Sequence, residues 1–232
     1  MVSLRDKQHL FFDLDDTLWD FQANSSFVLS DLYQQFDLKK KLGVELEVFL
    51  SEYHRINLKL WKQLYKREID KTYLRTQRFS SVLNHFGYEN YGESLAISEL
   101  YLQLAPKGTA LKEGCKETLS ELQKKYNLHI ITNGFAESQH RKIDACGLRP
   151  FFKNIIISEE HNSVKPEERI FRVAESLANT SAQHCVMIGD NYDSDITGAV
   201  QGGWEAIHFC GPHNNEHAGI RIHTLSQLLN HF

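Results

Sequence analysis

The chain has 232 residues, of which 41% are hydrophobic and 24% are charged, and its formal net charge is -4. This length and composition predict a globular protein with one large domain, or with a core domain and a smaller inserted domain, and exclude a disordered chain. The charge favours neither a nucleic-acid polymer nor an anionic membrane as a partner. Because the sequence begins without a long apolar run, we expect no secretory signal or membrane span and a cytoplasmic location.

The first predicted element is a short buried strand at residues 9–14 that stops at Asp13. The next stretch, residues 21–104, repeats apolar residues at helical spacing, as at Val28, Leu32 and Phe36. No convincing strand pattern interrupts this stretch. We therefore predict an all-helical insert of several antiparallel helices.

After Pro106 the predicted strands and helices alternate. The strands are at residues 128–132, 154–158, 185–189 and 204–209, and the helices are at 115–126, 137–146, 166–177, 193–200 and 225–229. This alternation predicts an α/β fold with a mostly parallel sheet and helices on both faces. The predicted domains are a core formed by residues 1–20 and 105–232, and a helical domain formed by residues 21–104. In such a sheet the ligand binds beyond the carboxyl ends of the strands.

The four cysteines lie far apart in the sequence and form no CxxC pair: Cys115, Cys146, Cys185 and Cys210. We expect them to be buried as small apolar residues in a reducing compartment, rather than to form disulfides or a zinc site.

Two groups of aspartates follow predicted strands: Asp13, Asp15 and Asp16 follow the first strand, and Asp190, Asp193 and Asp195 follow the strand at 185–189. If these strands are neighbours, several carboxylates converge and raise one another's pKa. A hard divalent cation offsets this repulsion, and magnesium binds a few carboxylates together with the oxygens of a substrate phosphate. The acidic cluster therefore predicts a Mg²⁺ site for a phosphate group.

The remaining oxygens of a phosphate need donors and a cation. Thr132 supplies a hydroxyl at a strand end, and Asn133 and Gly134 supply backbone N–H groups in a turn before a helix. Lys165 precedes Pro166 at the start of another predicted helix, where its ammonium can act as a point charge on the phosphate and on the nucleophile.

An aspartate can act as a nucleophile and form an aspartyl-phosphate. The repulsion between Asp13 and a phosphate dianion is offset by magnesium and Lys165. The leaving alcohol needs a proton and the incoming water loses one, and Asp15 is placed two residues on to do both.

Four segments, in this order, resemble the motifs of the haloacid dehalogenase (HAD) superfamily. Motif one is Asp13-Leu14-Asp15-Asp16-Thr17, motif two is Thr132-Asn133-Gly134, motif three is Val164-Lys165-Pro166, and motif four runs from Gly189 and Asp190 to Asp195. The resemblance spans nearly the whole chain. It implies a Rossmann-like core with a helical cap inserted after the first strand, a position that residues 21–104 fit.

The resemblance also implies residue roles. Asp13 is the nucleophile and a metal ligand, Asp15 is the acid/base and a metal ligand through its carbonyl, and Asp190 is the third protein ligand. Asp195 holds either metal-bound water or Lys165. Thr132 and Lys165 bind the phosphate.

Three segments resemble the YjjG-type pyrimidine 5'-nucleotidases within this superfamily: Thr132-Asn133-Gly134-Phe135, Ile157-Ser158-Glu159-Glu160 and Asn57-Leu58-Lys59-Leu60-Trp61. This resemblance implies dephosphorylation of pyrimidine or non-standard nucleoside monophosphates. On that analogy the cap selects the substrate, with Asn57 and Trp61 as lining residues. Trp61 has an alternative role as part of the cap's own core.

Several alternatives stay open at this stage. Related enzymes act on sugar phosphates or phosphoglycolate. A dehalogenase needs no second aspartate two residues after its nucleophile, a phosphomutase needs a proton-shuttling cap residue that we do not locate, and a non-enzymatic HAD-like binding protein is expected to lack Asp13, Asp15 or Lys165. The sequence leaves the choice between monomer and homodimer open. Asp193 suits a helix cap better than a metal ligand.

One zinc pattern, H-x-x-E-H, occurs from His213 to His217. That pattern requires a helix to place both histidines on one face. Pro212 and the two asparagines between the histidines predict a loop, so we do not expect zinc to bind here.

Overall fold

The computed structural model describes residues 4, 6–211 and 219–232. The chain packs as two units, one formed by Met1–Phe21 with Thr109–Phe232 and the other by Gln22–Gly108. The α-helices are α1 (Phe21–Gln35), α2 (Leu38–Leu42), α3 (Leu46–Tyr65), α4 (Lys71–His85), α5 (Tyr91–Leu104), α6 (Cys115–Leu122), α7 (Ala136–Ala145), α8 (Ser158–His161), α9 (Glu168–Ala178) and α10 (Gly198–Gln201).

The first unit is built on a six-stranded sheet in which every neighbouring pair of strands is parallel. The predicted α/β fold with a parallel sheet is confirmed, and the structure adds a sixth strand that the sequence did not predict. The strands are β1 (His9–Phe12), β2 (Asn127–Thr132), β3 (Asn154–Ile157), β4 (Cys185–Gly189), β5 (Glu205–Phe209) and β6 (Ile220–Ile222), in the spatial order β3-β2-β1-β4-β5-β6.

Side chains of β1 alternate between two apolar cores. Leu10 and Phe12 belong to the larger cluster, together with Val186 and Ile188 of β4. Phe11 belongs to the cluster on the opposite face, which also contains Met187 and Trp204. Because successive side chains of a strand point to opposite faces, a strand buried on both faces is apolar at every position.

The end of β1 lies at the point where the order in which the chain adds strands to the sheet reverses. The chain runs from β1 outward through β2 to β3, and then returns to β4 on the other side of β1. Phe12 pairs with Ile130 of β2 and with Ile188 of β4. Ligands of open α/β sheets bind at such switch points, beyond the carboxyl ends of the strands.

Two predicted helices differ in the structure. Helix α9 begins at Glu168, and Glu167 before it has a ψ of 130°, which is not helical, so Pro166 precedes the helix instead of lying in its first turn. The predicted helix at 193–200 is a π-helical turn, Tyr192–Thr197, followed by the short α10. Its cap is Asn191, whose side chain accepts a hydrogen bond from the Ser194 N–H, and not Asp193.

In the second unit, Gln22–Gly108, all the regular elements are helices, as the spacing of its apolar residues predicts. Its core contains the rings of Tyr53 and Phe79, whose centroids lie 5.4 Å apart. Helix α4 is capped by Asp70, whose carboxylate accepts a hydrogen bond of 2.7 Å from the Tyr73 N–H.

All four cysteines are free and buried, as predicted. Among the described residues, no helix combines the length and the apolar composition needed to cross a bilayer. The zinc pattern from His213 to His217 lies outside the described residues.

His129 in β2 is buried as a neutral imidazole. Its Nδ1 accepts a hydrogen bond of 3.1 Å from the Asn154 side-chain amide, which leaves Nε2 to donate to His9 Nδ1 at 3.0 Å. The ring also stacks on Phe11. Burial, and then the neighbouring His9, lower the pKa of His129 from 6.5 to about 3.

This lowered pKa predicts that the contribution of His129 to stability is unfavourable in mild acid. Below pH 6.5 the unfolded chain takes up a proton at His129, whereas the folded protein does not bind this proton until the pH approaches 3. The contribution of His129 to the free energy of unfolding therefore falls through this window, by about 2 kcal/mol at pH 5. In urea unfolding, we expect the change in the free energy of unfolding between pH 7.5 and 5 to be more favourable in His129→Gln than in the wild type by about 2 kcal/mol.

The control is His140→Gln, because His140 is partly exposed, with 37% of its side chain accessible. It should follow the wild-type pH dependence. An unchanged pH dependence in His129→Gln would contradict this account.

Candidate active site

Asp13 is the first residue after β1, and the sheet fixes its position. Its backbone N–H donates to the Ile188 carbonyl at 2.9 Å, which continues the pairing of β1 with β4 beyond the last strand residue. The residue is 7% exposed. A carboxylate is thereby held at the switch point of the sheet, where a ligand is expected.

Lys165 is a buried cation between two carboxylates. Its Nζ lies 2.6 Å from Asp13 Oδ1 and 2.7 Å from Asp195 Oδ1, and the residue is 1% exposed. Burial works against its charged form, but Asp13 and Asp195 outweigh burial and raise the pKa of Lys165 to about 12. The ammonium is therefore permanently charged at neutral pH.

Asn133 holds the backbone of Lys165 in place. Its Nδ2 donates to the Lys165 carbonyl and its Oδ1 accepts from the Lys165 N–H, both at 2.8 Å. Thr132, at the end of β2, is 2% exposed. The Asn133 side chain is thus used to position Lys165, which the sequence did not predict.

Thr17 orients Asp190, the residue that follows β4. The Thr17 hydroxyl donates to Asp190 Oδ1 at 3.2 Å and accepts from the Asp190 N–H at 3.0 Å. The His208 Nε2 lies 2.9 Å from the Asp190 carbonyl oxygen. Thr17 is fully buried. Sequence reasoning recorded Thr17 only as part of motif one and gave it no role.

Asp195 is 1% exposed and packs against the backbone of Gly189. Its Oδ2 accepts from the Asn191 N–H at 3.1 Å, and its Oδ1 accepts from the Ser194 hydroxyl at 3.2 Å as well as facing Lys165. A Cβ atom on Gly189 would lie 2.6 Å from the Asp195 Cβ. Only glycine at this position leaves space for the carboxylate to reach Lys165.

The carboxylates of Asp13, Asp190 and Asp195 offer ligand atoms that all lie within 4.8 Å of one another. Burial, opposed by Lys165 and assisted by Asp195, raises the pKa of Asp13 to about 7. Burial and then the charges of Asp13 and Asp195 raise the pKa of Asp190 to about 8. One ammonium does not neutralise three carboxylates, so the cluster fits a hard divalent cation with oxygen ligands such as Mg²⁺.

The carboxylates of Asp15 and Asp16 point to partners outside this cluster. Asp15 Oδ1 accepts from Lys142 Nζ at 2.6 Å and its Oδ2 accepts from Gln139 at 2.9 Å. Asp16 lies at φ 59° and its carboxylate pairs with Lys112 at 2.9 Å. The sequence pattern grouped the three motif-one acids at one strand end, and the family resemblance gave Asp15 a metal contact only through its carbonyl. The structure turns the carboxylates of Asp15 and Asp16 to separate lysines.

Gln139 and Lys142 are two further polar residues that sequence reasoning missed. They lie three positions apart on α7, so their side chains share one face of the helix. The available signal in the sequence was this helical spacing of an amide and a lysine in the predicted helix that follows motif two.

In the second unit, Asn57 is 6% exposed and its Oδ1 accepts from Arg78 Nη1 at 3.1 Å. Trp61 is half-buried, and its ring packs against Tyr65 at an interplanar angle of 40°, with the centroids 5.6 Å apart.

The close approach at Gly189 predicts a specific sensitivity. In Gly189→Ala the new methyl group displaces the Asp195 carboxylate, so we expect the free energy of unfolding to fall by about 1–3 kcal/mol. The matched control is Gly211→Ala, because a Cβ at Gly211 meets nothing within 4 Å. Urea unfolding of both variants checks the prediction, and equal stabilities would contradict it.

The raised pKa values predict a linked effect of pH and magnesium on thermal stability. Without metal, the stability contributed by protonated Asp13 and Asp190 is complete below pH 3.8 and is lost as the pH rises through about 7 and 8. Metal binding requires the carboxylates to be ionised. We therefore expect the rise in melting temperature on adding MgCl₂ to be larger at pH 8.5 than at pH 6.

The control for this measurement is Asp190→Asn, in which the magnesium effect should be weakened at both pH values. If MgCl₂ raises the melting temperature of the wild type equally at pH 6 and pH 8.5, the raised pKa values of Asp13 and Asp190 are contradicted.

Comparison with known proteins agrees with this geometry. A family model described as haloacid dehalogenase-like hydrolase matches residues 7–203. The pyrimidine 5'-nucleotidase PynA of Streptococcus pneumoniae is 33% identical over 220 residues, covering 94% of this chain and 87% of PynA. The pyrimidine 5'-nucleotidase YjjG of Escherichia coli is 28% identical over 228 residues, covering 95% of this chain and 96% of YjjG.

Among solved structures, the HAD-hydrolase YfnB of Bacillus subtilis, in a crystal form bound to magnesium, superposes with a TM-score of 0.86. The two chains are 29% identical and the match covers 97% of each. The predicted similarity to YjjG-type enzymes is confirmed at the level of sequence. The four motifs, the parallel sheet and the family match show that the chain belongs to the haloacid dehalogenase-like hydrolases.

Proposed function

We propose that this protein is a magnesium-dependent phosphomonoesterase that forms an aspartyl-phosphate on Asp13, with pyrimidine or non-standard nucleoside monophosphates as its preferred substrates. The observation that carries the proposal is the buried Lys165 ammonium, 2.6 Å from Asp13 and 2.7 Å from Asp195, at the switch point of the sheet. This arrangement suits the transfer of a dianionic phosphoryl group, because it places a carboxylate nucleophile next to a fixed cation and further carboxylates.

The residues that would hold Mg²⁺ are Asp13 and Asp190 through their carboxylates and Asp15 through its backbone carbonyl. Asp195 belongs to the same group of carboxylates and also binds Lys165. When bound, the ion supplies positive charge that offsets the phosphate and the ionised carboxylates. These residues fit the ion because the buried carboxylates outnumber the one ammonium group, that of Lys165. The charges of Asp13 and Asp195 accordingly add to burial in raising the pKa of Asp190.

In the first half-reaction a carboxylate oxygen of Asp13 forms a bond to phosphorus while the bond from phosphorus to the alcohol oxygen breaks. Lys165 lowers the repulsion between the nucleophile and the phosphate. The Thr132 hydroxyl and the backbone N–H groups of Asn133 and Gly134 bind phosphate oxygens. Asp15 transfers a proton to the departing alkoxide, which leaves as a neutral alcohol.

In the second half-reaction water attacks phosphorus and transfers a proton to Asp15. The bond between phosphorus and Asp13 breaks, which restores both aspartates and releases inorganic phosphate. The two proton transfers at Asp15 balance, so the enzyme is unchanged after one cycle. Asp15 is oriented by Gln139 and Lys142 and is not part of the Asp13 cluster, which separates its proton-transfer role from nucleophilic attack.

The proposed substrate class rests on the similarity to PynA and YjjG, both named pyrimidine 5'-nucleotidases. We further propose that residues 22–108 act as the cap that selects the substrate. Trp61 has an aromatic face suited to stacking on a base, and it is only half-buried. Because Asn57 is buried and bonded to Arg78, we assign it an indirect role through the arrangement of that guanidinium.

The test is phosphate release from a panel of phosphomonoesters, with Mg²⁺ and with EDTA. The panel contains UMP, dUMP, CMP, AMP, ribose 5-phosphate, 2-phosphoglycolate and 4-nitrophenyl phosphate. We expect the pyrimidine nucleotides to have the highest kcat/KM, EDTA to abolish release, and Asp13→Asn to lose activity by more than about 1,000-fold, as nucleophile removal does. Acid quenching should recover protein-bound phosphate from the wild type and not from Asp13→Asn.

The matched control is Asp144→Asn, because Asp144 is an exposed aspartate paired with Arg149 outside the site. It should retain wild-type kinetics. If sugar phosphates or phosphoglycolate have the highest kcat/KM, the chemistry stands and the nucleotide assignment fails. If Asp13→Asn remains active, the covalent mechanism is wrong.

A further inference from the structure

Gln139 connects two groups of the active site that come from distant parts of the chain. It lies on α7, is 1% exposed, and its Nε2 is 2.7 Å from Thr132 Oγ1 and 2.9 Å from Asp15 Oδ2. Thr132 ends β2, whereas Asp15 follows β1. One side-chain nitrogen therefore touches both a phosphate-binding hydroxyl and the acid/base carboxylate of the proposed reaction.

The chemistry of the partners determines which end of the Gln139 amide is the NH₂ group. After Asp15 has given its proton to the leaving alcohol, its ionised carboxylate only accepts hydrogen bonds, so the atom facing it must then be a donor. An amide nitrogen has two hydrogens. One is directed to Asp15 Oδ2 and the other to Thr132 Oγ1.

This arrangement decides what the Thr132 hydroxyl can do. A hydroxyl has one hydrogen to donate, and the bond from Gln139 is one in which Oγ1 accepts. The Thr132 hydrogen is therefore available for another acceptor. At the end of β2, where the proposed substrate's phosphate binds, that acceptor is a phosphate oxygen.

A second residue of α7 fixes the other oxygen of Asp15. Lys142 Nζ lies 2.6 Å from Asp15 Oδ1, and 4.4 Å from the centroid of the Trp19 ring. With Gln139 on one oxygen and Lys142 on the other, the carboxylate has a single orientation. Helix α7 thus orients the acid/base.

Gly134 leaves the space that the Gln139 side chain occupies. A Cβ on Gly134 would lie 2.6 Å from Gln139 Cγ and 2.6 Å from its Nε2. The glycine of motif two therefore also has a packing reason, because any larger residue would displace the amide from its two partners.

We propose that Gln139 is a positioning residue that makes the Thr132 hydroxyl a hydrogen-bond donor to the phosphoryl group and orients Asp15 for proton transfer. The inference rests on the proposed phosphomonoesterase function and deepens it. Gln139 acts through Thr132 and Asp15, and does not itself touch the substrate.

The test compares Gln139→Met with the wild type on UMP and on 4-nitrophenyl phosphate. Loss of Asp15 orientation affects most the substrate whose alcohol needs a proton to leave, so kcat for UMP should fall about 100-fold. The activated aryl phosphate has a leaving group that needs little proton donation and should lose about 10-fold or less. The inhibition constant of inorganic phosphate should rise several-fold. Without the bond from Gln139, the Thr132 hydroxyl hydrogen is no longer directed to a phosphate oxygen.

A double-mutant cycle separates positioning from a general packing defect. If Gln139 acts through Thr132, the variant that combines Thr132→Val with Gln139→Met should bind phosphate no more weakly than Thr132→Val alone. Two losses that multiply would overturn the proposal. Arg141→Met is the matched control on the same helix, since Arg141 is exposed and pairs with Glu137, and it should match the wild type in every assay.

Melting temperatures are measured for each variant. If Gln139→Met does not fold, Gln139→Leu replaces it, because leucine is also apolar and has no hydrogen-bond donor in its side chain. That variant should show the same losses. Wild-type kcat for UMP in a folded Gln139 variant overturns the inference, whereas loss of the proposed function itself is shown separately by a wild type that hydrolyses no phosphomonoester.

Discussion

The ion pair of Lys165 with two buried aspartates is the interaction on which the rest of the site depends. A buried carboxylate is costly unless it is paired, and breaking such a pair costs roughly 3–5 kcal/mol because one charge is left uncompensated. Lys165 satisfies Asp13 and Asp195 at once, while Asn133 anchors its backbone. Asp190 brings a third carboxyl group whose ionisation the ammonium does not balance, and its pKa is raised to about 8. This remaining imbalance is what makes the site suited to a divalent cation and a phosphate.

The sheet fixes the positions of the residues around this ion pair. β1 lies between β2 and β4, so the residues that follow the three strands meet at one edge of the sheet. The backbone of Asp13 is bonded to Ile188, and the backbone of Asp190 is bonded to the Thr17 hydroxyl. Backbone hydrogen bonds in a parallel sheet are stiff, and therefore the carboxylates are held close together despite their repulsion.

Three aspartates that are neighbours in the chain have different partners in the structure. Asp13 belongs to the carboxylate cluster, Asp15 is held by Gln139 and Lys142, and Asp16 pairs with Lys112. In the proposed mechanism, the separate lysine partners keep Asp15, as the acid/base, from competing with Asp13, as the nucleophile, for the same cation.

Much of the fold and site follows from local patterns. The strand at 185–189 is found at the predicted residues, and β1 and β2 lie within two residues of their predicted bounds, because an apolar run buried on both faces requires no knowledge of its neighbours. The motif residues were recognisable from their local positions, because Thr132 ends a predicted strand, Asp13 and Asp190 lie at the ends of two others, and Lys165 precedes a proline before a predicted helix. The strand β6 was missed because three residues, Ile220–Ile222, show no clear period and form a strand only by pairing with β5.

The sequence by itself therefore determined the alternating architecture, the helical insert and the set of acids and cations available for chemistry. Only the tertiary structure decided which of them meet. Lys165 contacts Asp13 across 152 positions of the chain, and Lys142 contacts Asp15 across 127. The left-handed backbone of Asp16 turns that carboxylate toward Lys112. Spacing along a sequence cannot predict such pairings, because they arise from the strand order and from packing between elements that are far apart in the chain.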